Sequence, residues 1–199
     1  VLHEGITTLN ESVFKGCSAL RTINTENVVN FKKECFNNCH ALYYMTISDK
    51  ARVIEDSAFA ECRSLDQNFD ISSVTTLGNK VFFNCSRIKG FVMPDVDFDL
   101  GFFSGCTGIK SYAVKDSNTK YITKDGVIFD KATNGSVLLL YPANKDDKVY
   151  TIPSTVKEIA KGAFAYTTVL EQVVISENVT KVSAEAFKYS SIIIDVLIS

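Results

Sequence analysis

The chain has 199 residues, 46% hydrophobic and 22% charged, with a formal charge of −2 spread over interspersed acids and bases. That composition excludes a disordered chain, and the longest apolar runs are far too short to cross a bilayer. With no block of like charge there is no electrostatic footprint for nucleic acid or an anionic membrane, so neither is expected as a partner.

At the N-terminus, Val1-Leu2-His3-Glu4 shows neither the basic nor the apolar region of a signal peptide, so the compartment is not legible there. Beyond it the chain is repetitive. Val13-Phe14-Lys15-Gly16-Cys17-Ser18-Ala19-Leu20 returns as Cys35-Phe36-Asn37-Asn38-Cys39-His40-Ala41-Leu42 and as Ala58-Phe59-Ala60-Glu61-Cys62-Arg63-Ser64-Leu65. A fourth copy is Val81-Phe82-Phe83-Asn84-Cys85-Ser86-Arg87-Ile88. Phe14, Phe36, Phe59 and Phe82 are 22, 23 and 23 residues apart, and further anchors fall at Phe103, Phe164 and Phe187. Such a period predicts a solenoid, because one coil cannot bury its own apolar face and needs neighbours stacked on it.

Within a coil, an apolar residue six after the Phe and others three and five further on predict one strand, as in Leu42-Met45-Ile47 or Leu170-Val173-Ile175. The third coil carries one extra residue between Leu65 and Ile71, which predicts a bulge. A second inward pair, such as Val28 and Phe31 or Val156 and Ile159, marks another corner of the coil. The segment around each Phe, as in Ser57-Ala58-Phe59, predicts a short helical or 3-10 turn opened by a serine cap.

Cys17, Cys39, Cys62, Cys85 and Cys106 each sit three residues after an anchoring Phe, so they are a repeat position, unlike a disulfide framework or a zinc site. Reduced thiols packed as small apolar side chains are expected, bonding weakly to backbone groups at the bend, with Thr167 and Ser190 in the same place later on. Cys35 alone is off that register and is the expected reactive thiol.

Phe103 and Phe164 are 61 residues apart, 38 more than one period. Asp125-Gly126 and Asn134-Gly135 are turn dipeptides between β-branched and aromatic runs, so two or three antiparallel strands are predicted between Tyr121 and Tyr141. Val149-Tyr150-Thr151-Ile152-Pro153 resumes the array. The expected organisation is one solenoid over residues 1–199 with a β-hairpin insertion at 115–148. The chain opens inside a coil and stops on a strand without polar caps, so it is expected to be a piece of a longer array.

These Phe-x-x-Cys-x-x-Leu coils, the unit Ile152-Pro153-Ser154-Thr155-Val156-Lys157-Glu158-Ile159-Ala160-Lys161-Gly162-Ala163-Phe164, and Asp125-Gly126-Val127-Ile128 with Leu140-Tyr141-Pro142-Ala143 together resemble the BspA-like leucine-rich repeat family. The resemblance covers essentially the whole chain. It implies an α/β repeat solenoid, mostly β: a leucine-rich-repeat-like right-handed coil with one parallel β-sheet. Short helical or 3-10 turns are expected on the convex side, with the inserted β-hairpin near 117–147. It further implies a non-catalytic cell-surface or secreted module for adhesion or protein binding, located outside the cell or on its surface, with no cofactor. The partner would be a host or matrix protein or another surface protein, with a glycan as a further candidate. An intracellular scaffold or effector is the alternative, and an enzyme using the hairpin region the remote one.

Residues between the inward positions point to the opposite, concave face of the strands and form the expected protein-binding surface. They include Arg21, Asn24, Tyr43, Tyr44, Asp66, Gln67, Lys89, Lys110, Glu171 and Gln172. Adjacent tyrosines among mixed charges suit an interface, where Tyr and Arg are enriched. Asp95, Asp97 and Asp99 alternate as in a calcium loop, but the glycine falls one place late and Cys106 stands where a bidentate Glu is needed, so no metal is expected and the three remain a weak calcium candidate. With two histidines, His3 and His40, and neither a phosphate loop nor a nucleophile elbow, catalysis has no motif to rest on. Asn10, Asn84, Asn134 and Asn178 open N-glycosylation sequons, relevant only in a eukaryotic secretory pathway.

Overall fold

The structure, a computed structural model, describes residues 2–198 and, at Leu100, the backbone alone. Val1 and Ser199, the two ends of the expected array, lie outside the described residues. The chain divides into two compact units, Val1–Cys106 and Thr107–Ser199.

The first unit begins with strands β1 (Thr8–Leu9), β2 (Thr22–Ile23), β3 (Asn30–Phe31) and β4 (Tyr44–Met45). It continues with β5 (Val53–Ile54), β6 (Asn68–Asp70), β7 (Thr76–Leu77) and β8 (Gly90–Met93). Strands β1, β3, β5 and β7 form one parallel sheet in which Leu9, Phe31, Ile54 and Leu77 stand opposite one another. A second row consists of the parallel pairs β2–β4 and β6–β8. The expectation of a single sheet is therefore corrected: each coil contributes two strands. Both straight sides are extended, and their backbone N–H and C=O groups find partners on the coils above and below.

Like side chains stack along the unit. Phe14, Phe36, Phe59 and Phe82 lie ring on ring at centroid distances of 5.1, 5.6 and 5.1 Å, tilted by 10°, 11° and 14°. Phe102 meets Phe82 edge-on at 81°. Phe36, Phe59 and Phe82 are completely buried, each contributing about 2–3 kcal/mol of apolar transfer.

The chain rounds Phe14, Phe36, Phe59 and Phe82 without a helix. Among the described residues there is no α-helix, and one 3-10 helix spans Leu100–Phe103. Instead φ is positive two residues before the ring, at Ser12, Glu34, Ser57 and Lys80, and two after it, at Gly16, Asn38, Glu61 and Asn84. This alternation of hand aims every second N–H at the next coil. Glu34, Phe36 and Asn38 donate to the carbonyls of Asp56, Ala58 and Ala60 at 3.0, 2.8 and 2.9 Å, while Asn37 and Cys39 bond back to Glu34 and Phe36. A helix would send every N–H back along its own chain and leave none to join the coils. The helical turns expected around Ser57 are thus replaced by a third inter-coil ladder.

The cysteines form a fourth. Cys39, Cys62, Cys85 and Cys106 donate through Sγ to the carbonyls of Phe14, Phe36, Phe59 and Phe82 at 3.1, 3.2, 3.1 and 3.0 Å. Cys35 is not the reactive thiol expected of it. It is fully buried, its Sγ lies 3.8 Å from the Ala58 carbonyl, and burial pushes its pKa up to about 12. The exposed thiol is Cys17.

The second unit contains β9 (Ser111–Val114), β10 (Tyr121–Lys124), β11 (Val127–Asp130), β12 (Val137–Leu140) and β13 (Val149–Thr151). After these come β14 (Glu158–Ile159), β15 (Gln172–Ile175), β16 (Lys181–Val182) and β17 (Asp195–Ile198). β10 and β11 pair antiparallel around Asp125 and Gly126, whose φ values of 49° and 76° are those of a two-residue hairpin turn. β12 pairs antiparallel with β11 and, through Val137 and Leu138, parallel with β14. β14–β16 and β13–β15–β17 complete two parallel rows here too.

Tyr141 occupies an anchor position that the Phe spacing does not reveal. Its N–H donates to the Ala163 carbonyl at 2.7 Å, as Phe36 does to Ala58, and its ring stacks on Phe164 at 5.0 Å, with Phe187 next at 5.1 Å. Residues 137–141 therefore serve hairpin and coil together. Lys145 fastens the hairpin turn, reaching Asp125 at 2.8 Å and Asp147 at 2.6 Å, while Tyr141 Oη donates to Asp147 at 3.2 Å. Ser190 Oγ donates to the Phe164 carbonyl at 2.5 Å in the cysteine position. Thr167, expected to do likewise, has a buried hydroxyl with no partner among the described residues.

Candidate functional site

In the first unit the apolar residues Leu42, Leu65, Met45 and Phe69 point inward and are buried, which turns their neighbours outward. Tyr43 and Tyr44 result as 52% and 55% exposed rings on adjacent positions. The coils place other side chains beside them in sequence. Tyr43 N–H bonds to the Arg21 carbonyl at 3.0 Å, Asp66 N–H to the Tyr43 carbonyl at 3.3 Å, and Lys89 N–H to the Gln67 carbonyl at 3.1 Å. Arg21, Tyr43 and Asp66 are therefore successive steps of one row, and Lys89 follows on the next coil opposite Gln67, one residue on, with its side chain reaching back to Asp66.

Electrostatics differ along it. Asp66 accepts from Arg87 at 2.6 Å and Lys89 at 3.1 Å, and the Arg87 bond, followed by that of Lys89, lowers its carboxyl below the usual carboxylate range. Arg21 is exposed and engages no acid among the described residues. Arg87 is a member the alternation does not flag, because it precedes the strand; its signal is its place next to Ile88 in the repeat frame.

The extra residue of the third coil interrupts the strand pairing just after Asp66. β2–β4 and β6–β8 are separate sheets, and where β6 would bond to β4 the Gln67 side chain stands in, its Nε2 donating to the Met45 carbonyl at 2.7 Å. Its Oε1 is buried without a partner among the described residues. A bulge beside an exposed aromatic pair re-aims the strand at that point.

The remaining expected residues have other surroundings. Asn24 Oδ1 accepts the Glu26 N–H at 3.0 Å in a local turn. Lys110, Glu171 and Gln172 belong to the second unit, where Lys110 pairs with Asp146 at 3.0 Å, Glu171 with Lys148, and Gln172 bonds Asp195 at 3.4 Å. Asp99 Oδ1 accepts the Gly101 N–H at 2.6 Å and caps the 3-10 helix. Among the described residues no group of three or more His, Cys, Asp or Glu could hold an ion. His40 faces Asn38 at 3.3 Å and lies exposed. Among the described residues no helix is long and apolar enough to cross a membrane.

The BspA type Leucine rich repeat region matches residues 1–110 and 144–199 in six copies. Among solved structures, a leucine-rich repeat protein of Eubacterium ventriosum is similar at 26% identity and a TM-score of 0.75, over 94% of this chain and 50% of that one. A leucine rich cell surface protein of Faecalibacterium prausnitzii is similar at 21% identity and a TM-score of 0.68, over 98% and 59%. A leucine-rich repeat protein of Bacteroides ovatus is similar at 20% and 0.56, over 98% and 59%. The chain thus spans about half the length of the Eubacterium protein. No curated protein matches the sequence. Stacked anchor rings recur in both matched stretches, joined in the first by cysteines bonded one coil back, and this chain belongs to the BspA-type leucine-rich repeat family.

Proposed function

We propose that the chain is a non-catalytic protein-binding module of the cell surface or the secreted fraction, and that it binds through the outward strand face that carries Tyr43 and Tyr44. Residues 1–199 act in this reading as one array with a hairpin insertion. The observation that carries it is the exposure of two adjacent tyrosine rings on a face whose inward neighbours are buried. Leucine-rich repeats generally serve as protein-interaction modules, and large aromatic side chains beside Arg are the residues on which interfaces depend. A surface location is supported by the structural relative described as a leucine rich cell surface protein.

The test is capture of host-matrix and surface proteins by the immobilised chain, repeated with Tyr43→Ala and with Tyr44→Ala. At least one substitution weakens capture tenfold or more; unchanged affinity in both removes the face from the proposal. An intracellular scaffold using the same face is the second reading, favoured by six cysteines that are all free thiols. Protease treatment of intact cells separates the two, since only a surface protein is cleaved.

A further inference from the structure

The row on the first unit is asymmetric in charge, and that asymmetry points to a class of partner. Building on the protein-binding reading of this face, we propose that the row takes an extended acidic peptide segment. Its two carboxylates, about four residues apart, meet Arg21 at one end and the Arg87–Lys89 pair at the other. Arg21 is an exposed guanidinium with no acid of its own among the described residues. At the opposite end two cations share the single carboxylate of Asp66, at 2.6 and 3.1 Å, which leaves one positive charge unmatched. The row therefore has a cationic site at each end and two exposed tyrosines between them.

The spacing follows from the fold. Arg21, Tyr43 and Asp66 lie on consecutive coils joined residue to residue by backbone hydrogen bonds, and Lys89 lies on the next coil, bonded through Gln67 and reaching Asp66 with its side chain at 3.1 Å. Three steps of about 4.8 Å between neighbouring strands separate the ends by about 14 Å. An extended chain rises about 3.3–3.6 Å per residue and covers that distance in about four residues. The residues between the acids lie over Tyr43 and Tyr44, whose ring faces suit proline or β-branched side chains. Of the other acids on these coils, Glu26 follows the Asn24 turn, and Asp70 closes β6 with its Oδ1 accepting the Ser72 N–H. A basic segment would meet uncompensated cations at both ends.

The experiment uses three fluorescein-labelled peptides, Glu-Val-Pro-Val-Glu, Glu-Glu-Val-Pro-Val and Lys-Val-Pro-Val-Lys, titrated with the chain at low ionic strength. The peptide with spaced acids binds at least fivefold tighter than the one with adjacent acids, and the lysine peptide does not bind. Arg21→Glu and Lys89→Glu each weaken the spaced peptide tenfold or more, with thermal unfolding unchanged. Arg21→Lys retains most of the binding. Equal affinity for spaced and adjacent acids, indifference to Arg21→Glu, or tighter binding of a sulfated oligosaccharide than of any peptide would overturn the assignment. A partner captured through Tyr43 and Tyr44 while all three peptides fail defeats the acidic assignment and leaves the protein-binding reading intact. Failure of both defeats both.

Discussion

Cys62 Sγ lies 3.2 Å from the carbonyl oxygen of Phe36, one coil back, and the same contact recurs from Cys39 to Phe14, from Cys85 to Phe59 and from Cys106 to Phe82. The thiol is a buried donor to a carbonyl at the turn. Cys62→Ala removes one of the two donors to the Phe36 carbonyl, which keeps the Cys39 N–H at 3.1 Å, and is expected to cost about 0.5–1.5 kcal/mol, the net worth of one hydrogen bond. Cys62→Ser keeps a donor, as Ser190 does for Phe164, and costs less. Urea midpoints of the two variants measure the difference, and an equal loss in both would remove the hydrogen bond from the explanation.

Thiol chemistry follows burial. Cys17 is exposed, whereas burial raises the pKa of Cys35 and Cys106 to about 12 and that of Cys39 to about 11. At pH 8 a disulfide reagent is expected to modify Cys17 quickly and the other cysteines only on unfolding. The sign of the pH effect is fixed by the same shifts. These thiols stay protonated in the folded state while unfolded ones ionise near pH 9, so their contribution is intact below pH 9 and is lost as pH rises towards about 12. Alkaline denaturation curves check this.

The left-handed residues can be tested one at a time. Ser57 has φ 55°, a conformation that costs an L-residue about 1–2 kcal/mol. Ser57→Gly is expected to stabilise by about 0.5–1 kcal/mol after the entropy of glycine is deducted. Gly16 has φ 75°, and an added Cβ would meet nothing within 4 Å. Gly16→Ala therefore costs about 1 kcal/mol from backbone strain alone. Denaturant midpoints moving in opposite directions confirm the alternation; a neutral Gly16→Ala contradicts it.

Thr167 holds a cysteine position without the bond. Its hydroxyl is buried and unpartnered among the described residues, so Thr167→Val, which keeps the shape and removes the polar atom, is expected to stabilise the chain by about 1 kcal/mol. Thermal unfolding shifted downward by this change would show that the hydroxyl has a partner after all.

Much of the fold is legible in the sequence because inward positions repeat. Phe14, Phe36, Phe59 and Phe82 align by counting, and so do the cysteines and the two tyrosines that point the other way. Tyr141 escapes the count because it is not Phe and lies only three residues after Leu138. Arg87 escapes because the strand alternation begins after it. Register alone misplaces Cys35, since its inertness comes from its position under Ala58 in the neighbouring coil.

Side-chain spacing along one turn of the repeat is enough to define the coil, its period, its stacked anchors and its outward residues, all of which the sequence carries unaided. Which groups bond across coils is a matter of packing. The second strand row, the alternating hand around each Phe, the Gln67 amide on the Met45 carbonyl and the exposure of Cys17 all depend on what the neighbouring coil offers. A backbone donor has no preference among carbonyls until packing brings one within about 3 Å.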